Sequence, residues 1–388
     1  MSMEPYEHLT NCTELIKQFK GEKKVKPVKK KSRLSKPKSK PKPFSFEELL
    51  ITKSQTKGVL EFEAFLNNNV KDGPMIPVIN EIDDEGQPPN FTYVDYYIYG
   101  NKVPKPDVLK CGLVGCDCEG GHCKGNECKC LKEHNLGKLN YERSSQKLRL
   151  KPGNAIYECN SSCSCDANCH NRVTQRGRTV PLAIQRFMEK GWGVVAMKEI
   201  PSGIFITYYY GELITTEEAD IRGATYDEVG RTYLFDLDFT SEDELNLYTI
   251  DASNYGNISH FLNHSCDPNL IVVPVVNDNA DIRLHHIAFF TKRDIRIGEE
   301  LTFNYNGSLE YPDESTSYIA EDDNNFKYKY ICKCGAEKCK DILRNGNLVK
   351  IQLELRLMTC RSTFVVDGTK EKSVMGKLAD VLMATYRT

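Results

Sequence analysis

Cys116-Asp117-Cys118-Glu119-Gly120-Gly121-His122-Cys123-Lys124-Gly125-Asn126-Glu127-Cys128-Lys129-Cys130 opens a run of thiols that resumes at Cys159-Asn160-Ser161-Ser162-Cys163-Ser164-Cys165-Asp166-Ala167-Asn168-Cys169. These nine cysteines sit among Gly, Asn, Asp and Lys rather than apolar residues. Their three Cys-x-Cys pairs are poorly placed to bridge one another as disulfides. Thiolates bind zinc tetrahedrally. Nine of them complete three zinc sites if six are terminal and three bridge, because twelve bonds then serve three metals. An iron–sulfur cluster is the alternative, but its usual spacings differ. Cys111 reads as a bystander. With enough thiolates to fill every site, His122 and His134 read as surface residues rather than ligands.

A second set, Cys332-x-Cys334-x4-Cys339, is one ligand short of a tetrahedral zinc. Cys266, in Asn263-His264-Ser265-Cys266-Asp267-Pro268-Asn269, is the natural fourth. Such a zinc would tie the C-terminal segment onto the middle of the preceding domain. Cys12 and Cys360 are left without a role.

The chain has 388 residues, enough for two or three domains. Its net charge of −2 hides a strong asymmetry. The stretch Lys17 to Lys42 holds 13 of the 52 bases and one of the 54 acids, leaving 39 bases against 53 acids elsewhere. A basic arm is thus joined to an acidic body. An acidic cleft concentrates a basic substrate, although a solvated acidic surface reads equally well on charge alone. No run of about 18 apolar residues is present, and the first twenty residues lack an apolar signal core. In an intracellular chain, sixteen cysteines argue for metal or catalysis rather than disulfides.

Residues 1–43 read as a disordered arm of Lys, Pro and Ser. Within it Lys29-Lys30-Lys31-Ser32-Arg33 has the form of a nuclear import signal or a sequence-independent phosphate-binding patch. Helical patterns follow at Phe46 to Leu50 and Val59 to Leu66, then an aromatic strand-like run from Tyr93 to Tyr99. From about residue 180 to 306 short β-rich runs dominate, such as Gly193 to Met197 and Ile204 to Tyr210. Beyond Cys339, Val349 to Leu357 alternates like a half-buried strand and Val374 to Leu382 has helical spacing.

The two thiol groups bracket Lys190-Gly191-Trp192-Gly193, Tyr209-Tyr210-Gly211-Glu212, Tyr233-Leu234-Phe235-Asp236-Leu237-Asp238, Asn257-Ile258-Ser259-His260-Phe261-Leu262-Asn263-His264-Ser265-Cys266 and Glu299-Glu300-Leu301-Thr302-Phe303-Asn304-Tyr305-Asn306. In this order and spacing, over roughly residues 75 to 344, the chain resembles SET-domain histone lysine methyltransferases of the suppressor-of-variegation class, which modify lysine 9 of histone H3. The resemblance implies a mostly β fold with short helices. Small curled sheets with a knot-like C-terminal segment would be flanked by a three-zinc pre-SET cluster and a one-zinc post-SET segment. The implied division is a basic arm (1–43), an N-terminal segment (44–110) packing on the SET domain, the pre-SET cluster (111–178), the SET domain (180–306), a linker (307–327), the post-SET segment (328–344) and a C-terminal extension (345–388).

The resemblance also assigns roles. Tyr305, Tyr233, Phe303 and His264 would be catalytic. Lys190, Gly191, Trp192, Tyr233, Tyr255, Asn263 and His264 would hold S-adenosylmethionine. The metal ligands would be Cys116, Cys118, Cys123, Cys128, Cys130, Cys159, Cys163, Cys165 and Cys169 for three zincs, and Cys266, Cys332, Cys334 and Cys339 for the fourth. In this family a Phe at position 303 leaves room for added methyl groups, implying di- and trimethylation. The implied partners are the histone H3 tail and heterochromatin proteins in the nucleus, with non-specific nucleic acid on the arm and no membrane. The chain departs from common SET patterns at His260, where many have Arg, and at Asn304, where many have Asp. Its only tryptophan is Trp192, and the first 75 residues show no chromodomain strand pattern. Recruitment is therefore expected through the arm or through other proteins.

Overall fold

A computed structural model of the chain describes residues 55–305, apart from 72, 111, 136, 150–153, 230–232 and 239–246, together with residues 329–337, 339 and 342–344. The chain divides into the units Met1–Ser45 and Phe46–Thr388, and every described residue belongs to the second. The basic arm, the Phe46–Leu50 pattern, Cys12, Cys111, Cys360 and both C-terminal patterns lie outside the described residues. Among the described residues no helix is long and apolar enough to cross a membrane.

The helix Lys57–Asn69 follows from Val59, Phe62 and Leu66, spaced to share one face. All three are fully buried, while Leu60 between them is 55% exposed. The buried face packs behind Trp192. Phe62 meets that indole edge-on at 5.3 Å and Phe261 at 5.9 Å. Glu63 accepts the Val78 N–H at 2.8 Å, and Asn67 accepts that of Ile76 at 2.8 Å. These bonds set the entry of Val78–Ile79 alongside Ile184–Gln185.

The expected Tyr93–Tyr99 strand is two separate pairs. Thr92–Tyr93 runs parallel to Tyr255–Gly256, whereas Ile98–Tyr99 runs parallel to Glu212–Leu213 in another sheet. Between them Asp95 accepts the Lys71 N–H at 2.6 Å, which turns the chain. A run rich in aromatics suggests one strand, but its two ends pair with different partners. The helix Thr216–Val229 was also not legible. Its composition is too polar for an apolar stripe, and it is fastened instead by Arg222 and Tyr226 to Asp251.

Among the described residues the strands form five small sheets. One has the order Val78–Ile79, Leu182–Phe187, Gly191–Ala196, Glu300–Phe303, Asn263–His264. In its last pair Asn263 lies opposite Thr302, and His264 opposite Phe303, in parallel. This return of the chain beside an earlier segment is the expected knot-like feature. Asn269 locks it, accepting the Thr302 N–H at 2.9 Å and donating to the Glu300 carbonyl at 2.8 Å. A large apolar core, including Leu182, Val194, Ile250, Phe289 and Leu301, lies beneath. The thiol-rich segment differs. Among the described residues its buried cluster consists of cysteines plus Leu131 and Leu139, too little apolar surface to hold a fold by itself.

Asn269 is 2% exposed. Asn269→Ala strips the Thr302 N–H and the Glu300 carbonyl of their partner and should cost about 1–3 kcal/mol. Asn269→Asp, which keeps the acceptor, should recover part of that. Urea unfolding of the zinc-loaded protein measures both, and an alanine variant as stable as the parent would remove Asn269 as the lock.

Candidate active site and metal centres

The thiols of the first block converge. Three groups of four, Cys116/Cys118/Cys123/Cys128, Cys116/Cys130/Cys159/Cys163 and Cys116/Cys123/Cys159/Cys165, each hold their sulfurs within 4.8 Å of one another. Tetrahedral zinc–thiolate bonds of ~2.3 Å place sulfurs about 3.8 Å apart, so the donor set fits zinc. Only Cys116, Cys123 and Cys159 recur among these groups. Three zincs would then share these thiols: Cys116 and Cys123 in a site with Cys118 and Cys128, and Cys116 and Cys159 in a site with Cys130 and Cys163. Cys123 and Cys159, whose sulfurs lie 3.2 Å apart, would be shared in the third, with Cys165 and, by elimination, Cys169 as its terminal ligands.

Backbone and amide groups that were not legible in the sequence surround these sulfurs. Cys163 Sγ receives the N–H groups of Cys116 and Asn160 at 3.4 and 3.3 Å. Cys169 Sγ receives those of Cys123 and Asn171, both at 3.4 Å. Such donors stabilise thiolates and aim the ligands. His134 is exposed and its ring stacks on Tyr157 at 4.1 Å. His122 is half-buried and stacks on His170 at 4.8 Å.

The fourth group gathers Cys266, Cys332, Cys334 and Cys339 within the same 4.8 Å limit. The hairpin of Lys329–Ile331 and Ile342–Arg344 carries the last three. Cys266 Sγ lies 3.9 Å from both Cys332 and Cys339. His264 stands between this group and Tyr305. Its Nδ1 accepts the Tyr305 N–H at 3.1 Å, and its Nε2 faces Cys266 Sγ at 3.4 Å. With Nδ1 accepting, the neutral ring carries its proton on Nε2 and points it at the sulfur.

Tyr305 is held at both ends. Its hydroxyl donates to the Leu262 carbonyl at 2.7 Å while its N–H is taken by His264. Burial, with the neighbouring Tyr233 phenol and Glu300 carboxylate, pushes its phenol well above the ordinary tyrosine range. It stays protonated and keeps donating. Phe303 is 4% exposed and lies 4.8 Å from the Tyr305 ring and 4.9 Å from Phe289. A narrow cavity of about 20 Å³ opens among Tyr209, Tyr233, His260, Leu262, Phe303 and Tyr305, room for roughly one water molecule. The Tyr233 carbonyl accepts from the Tyr209 hydroxyl at 2.8 Å and from the Ala252 N–H at 3.1 Å.

A second constellation adjoins it. Asn263 Nδ2 donates to the Trp192 carbonyl at 3.0 Å and to Glu300 Oε1 at 2.9 Å, and Lys190 pairs with the other Glu300 oxygen. Glu300 carried no role in the sequence reading, yet it joins Lys190 to Asn263. A residue that acts by connecting others leaves no spacing signal of its own. Gly191 has φ +77°, which favours glycine. At Gly193 a Cβ would come within 2.9 Å of Asn263 Nδ2, Glu300 Oε1 and Phe187, so the absent side chain is what lets these groups meet. Tyr255 stands apart on its two-residue strand, 37% exposed.

A cradle of Lys190, Gly191, Trp192 and Asn263 beside a narrow aromatic slot is the arrangement of a SET domain. The SET domain pattern matches residues 191–306, and the Pre-SET motif matches residues 68–172. The chain is 43% identical over 299 residues to the histone-lysine N-methyltransferase Su(var)3-9 of Drosophila melanogaster, covering 76% of this chain and 45% of that protein. It is 39% identical over 300 residues to the histone-lysine N-methyltransferase SUV39H2 of Gallus gallus, covering 76% of this chain and 70% of that protein. Among solved structures it resembles KRYPTONITE in complex with DNA, an H3(1–15) peptide and SAH. There the TM-score is 0.58 at 27% identity, over 75% of this chain and 55% of that one. The chain belongs to the Su(var)3-9 family of SET-domain histone-lysine N-methyltransferases. It spans about half the length of the Drosophila relatives.

Metal analysis should find four zincs per chain. Cys159→Ser, at a thiol shared between two sites, should release more metal than Cys118→Ser at a terminal one. Equal losses would overturn the assignment of Cys159 as a bridge.

Proposed function

We propose that this chain transfers methyl groups from S-adenosylmethionine to lysine 9 of histone H3. The observation that carries the reading is the narrow pocket walled by Tyr233, Phe303 and Tyr305 directly beside the Asn263–Trp192–Glu300 constellation. When bound, S-adenosylmethionine supplies an electrophilic methyl on a sulfonium. Lys190, Gly191, Trp192, Tyr233, Tyr255, Asn263 and His264 are its proposed holders.

The substrate amine must arrive neutral. A free lysine has a pKa near ~10.4, and burial between aromatic walls favours the uncharged form. No side chain then needs to act as a strong base. Tyr305, fixed at both ends, orients the amine with its hydroxyl, while the Leu262 carbonyl lies at the same point. The aromatic faces exclude water and attract the methylated ammonium. The remaining contribution is alignment.

The Phe303 wall offers no hydroxyl. Its ring contacts are Phe289, Phe235 and Tyr305, so the proposed products extend to di- and trimethyl lysine. The post-SET zinc, through Cys266, would hold the 332–339 segment against the slot. The H3 tail in nuclear chromatin and heterochromatin proteins are the proposed partners, in support of gene silencing. The Lys17–Lys42 arm is proposed to contact nucleic acid without sequence preference.

Mass spectrometry of an H3 tail peptide after prolonged turnover tests substrate and product together. Trimethyl lysine 9 is expected, and a peptide with that lysine replaced by alanine should stay unmodified. A product stopped at monomethyl would defeat the Phe303 argument. Phe303→Tyr should lower the product state, and Tyr305→Phe should nearly abolish turnover. Because Tyr305 stays protonated, the rate should climb with pH as substrate lysine loses its proton, with no falling limb from Tyr305 below pH ~10. A rate that declines above neutrality while the protein remains folded would contradict that assignment.

A further inference from the structure

The backbone of Tyr233 is anchored by the Tyr209 hydroxyl and the Ala252 N–H, but neither bond sets the plane of its ring. That plane lies on His260. The two rings are stacked at 4.2 Å with 13° between them. His260 is itself fixed from two sides. Its Nδ1 bonds to the Ala252 carbonyl at 2.8 Å, and its ring packs on Phe91, 4.5 Å away at 37°, and edge-on against Phe261 at 4.8 Å. Phe91 also meets Phe261 edge-on at 5.2 Å.

Phe91 precedes the thiol block and lies outside the SET domain match. It is 3% exposed. Asn90 turns the chain with φ 61°, a conformation that asparagine tolerates, and Gln87 Nε2 binds the Phe91 carbonyl at 3.1 Å. Thr92 and Val94 donate to the Asn254 and Gly256 carbonyls at 2.7 and 2.8 Å. Gly256 has no side chain where a Cβ would press on His260 at 3.3 Å and Phe91 at 3.5 Å. The segment is thus bonded to the strand beside it, with one ring directed under His260.

We infer that Phe91 is a positioning residue for the lysine pocket, acting through His260 on the ring plane of Tyr233. It touches neither substrate nor cofactor. Backbone ladders leave a ring free about χ2, and the stacked His260 ring, itself backed by the tilted Phe91 ring, restricts that freedom. This rests on the methyl transfer proposed above, in which Tyr233 walls the pocket. It extends the pocket's support to the stretch Gln87 to Val94.

The test uses the full zinc-loaded chain with Phe91→Leu, which keeps apolar volume and removes the flat face. Phe205→Leu, at a buried ring packed on Tyr208 and Phe290, is the control for general loss of stability. For Phe91→Leu, kcat on the H3 peptide should fall about tenfold or more, the scale of a small misplacement at a reacting centre. Because Tyr233 is also a proposed cofactor holder, binding of S-adenosylmethionine by calorimetry should weaken in Phe91→Leu, whereas Phe205→Leu should keep the parent affinity and the parent kcat. An activity-independent readout is fluorine NMR of meta-fluorotyrosine placed at Tyr233, whose signal should shift and broaden in Phe91→Leu alone. An unmoved signal, a parental kcat in Phe91→Leu, or an equal fall in Phe205→Leu overturns the inference. If the parent fails to methylate the peptide, the proposed function falls while the fluorine signal still decides the role of Phe91.

Discussion

The structure depends on one arrangement, the return of Glu300–Tyr305 beside Asn263–His264. These strands are nearly forty residues apart in sequence and pair in parallel, so their closure entropy must be offset by specific bonds. Asn269 supplies two of them, and Tyr305 supplies two more through Leu262 and His264. The bonds that close the fold thereby hold the proposed catalytic tyrosine. Its position is a consequence of the topology, so the site is as rigid as the crossing.

Metal takes over where apolar burial is insufficient. The segment from Cys116 to Cys169 buries its sulfurs with little besides Leu131 and Leu139, and thiolate–zinc bonds supply the folding free energy that a core would otherwise provide. Saturated thiolate sites leave no open coordination position, so this zinc is structural. The fourth site differs in what it joins. Through Cys266 and His264 it connects the Cys332–Cys339 hairpin to the backbone of Tyr305.

Two constellations converge on the crossing from opposite directions. From one side Gly193 leaves space for Asn263 and Glu300, and Glu300 draws in Lys190. From the other, His260 stacks on Tyr233 and the tilted ring of Phe91 packs against His260. Each adds residues distant in sequence to a pocket only wide enough for one small group, which is how a short slot becomes ordered without a large core of its own.

The sequence by itself determined the class of ligand and the class of fold. Thiols in Cys-x-Cys pairs among polar residues name zinc through their count and softness, and ordered motifs around Asn263-His264 and Phe303-x-Tyr305 name the family. These are local properties, carried by residue type and short spacing. Tertiary structure alone brought Cys159, 36 residues beyond Cys123, into the thiol groups that also hold Cys116 and Cys123. It also split Tyr93–Tyr99 between two sheets, joined Glu300 to Lys190 and Asn263, and set Phe91 under His260. Each of these is a contact between groups far apart along the chain, and spacing carries no record of such contacts.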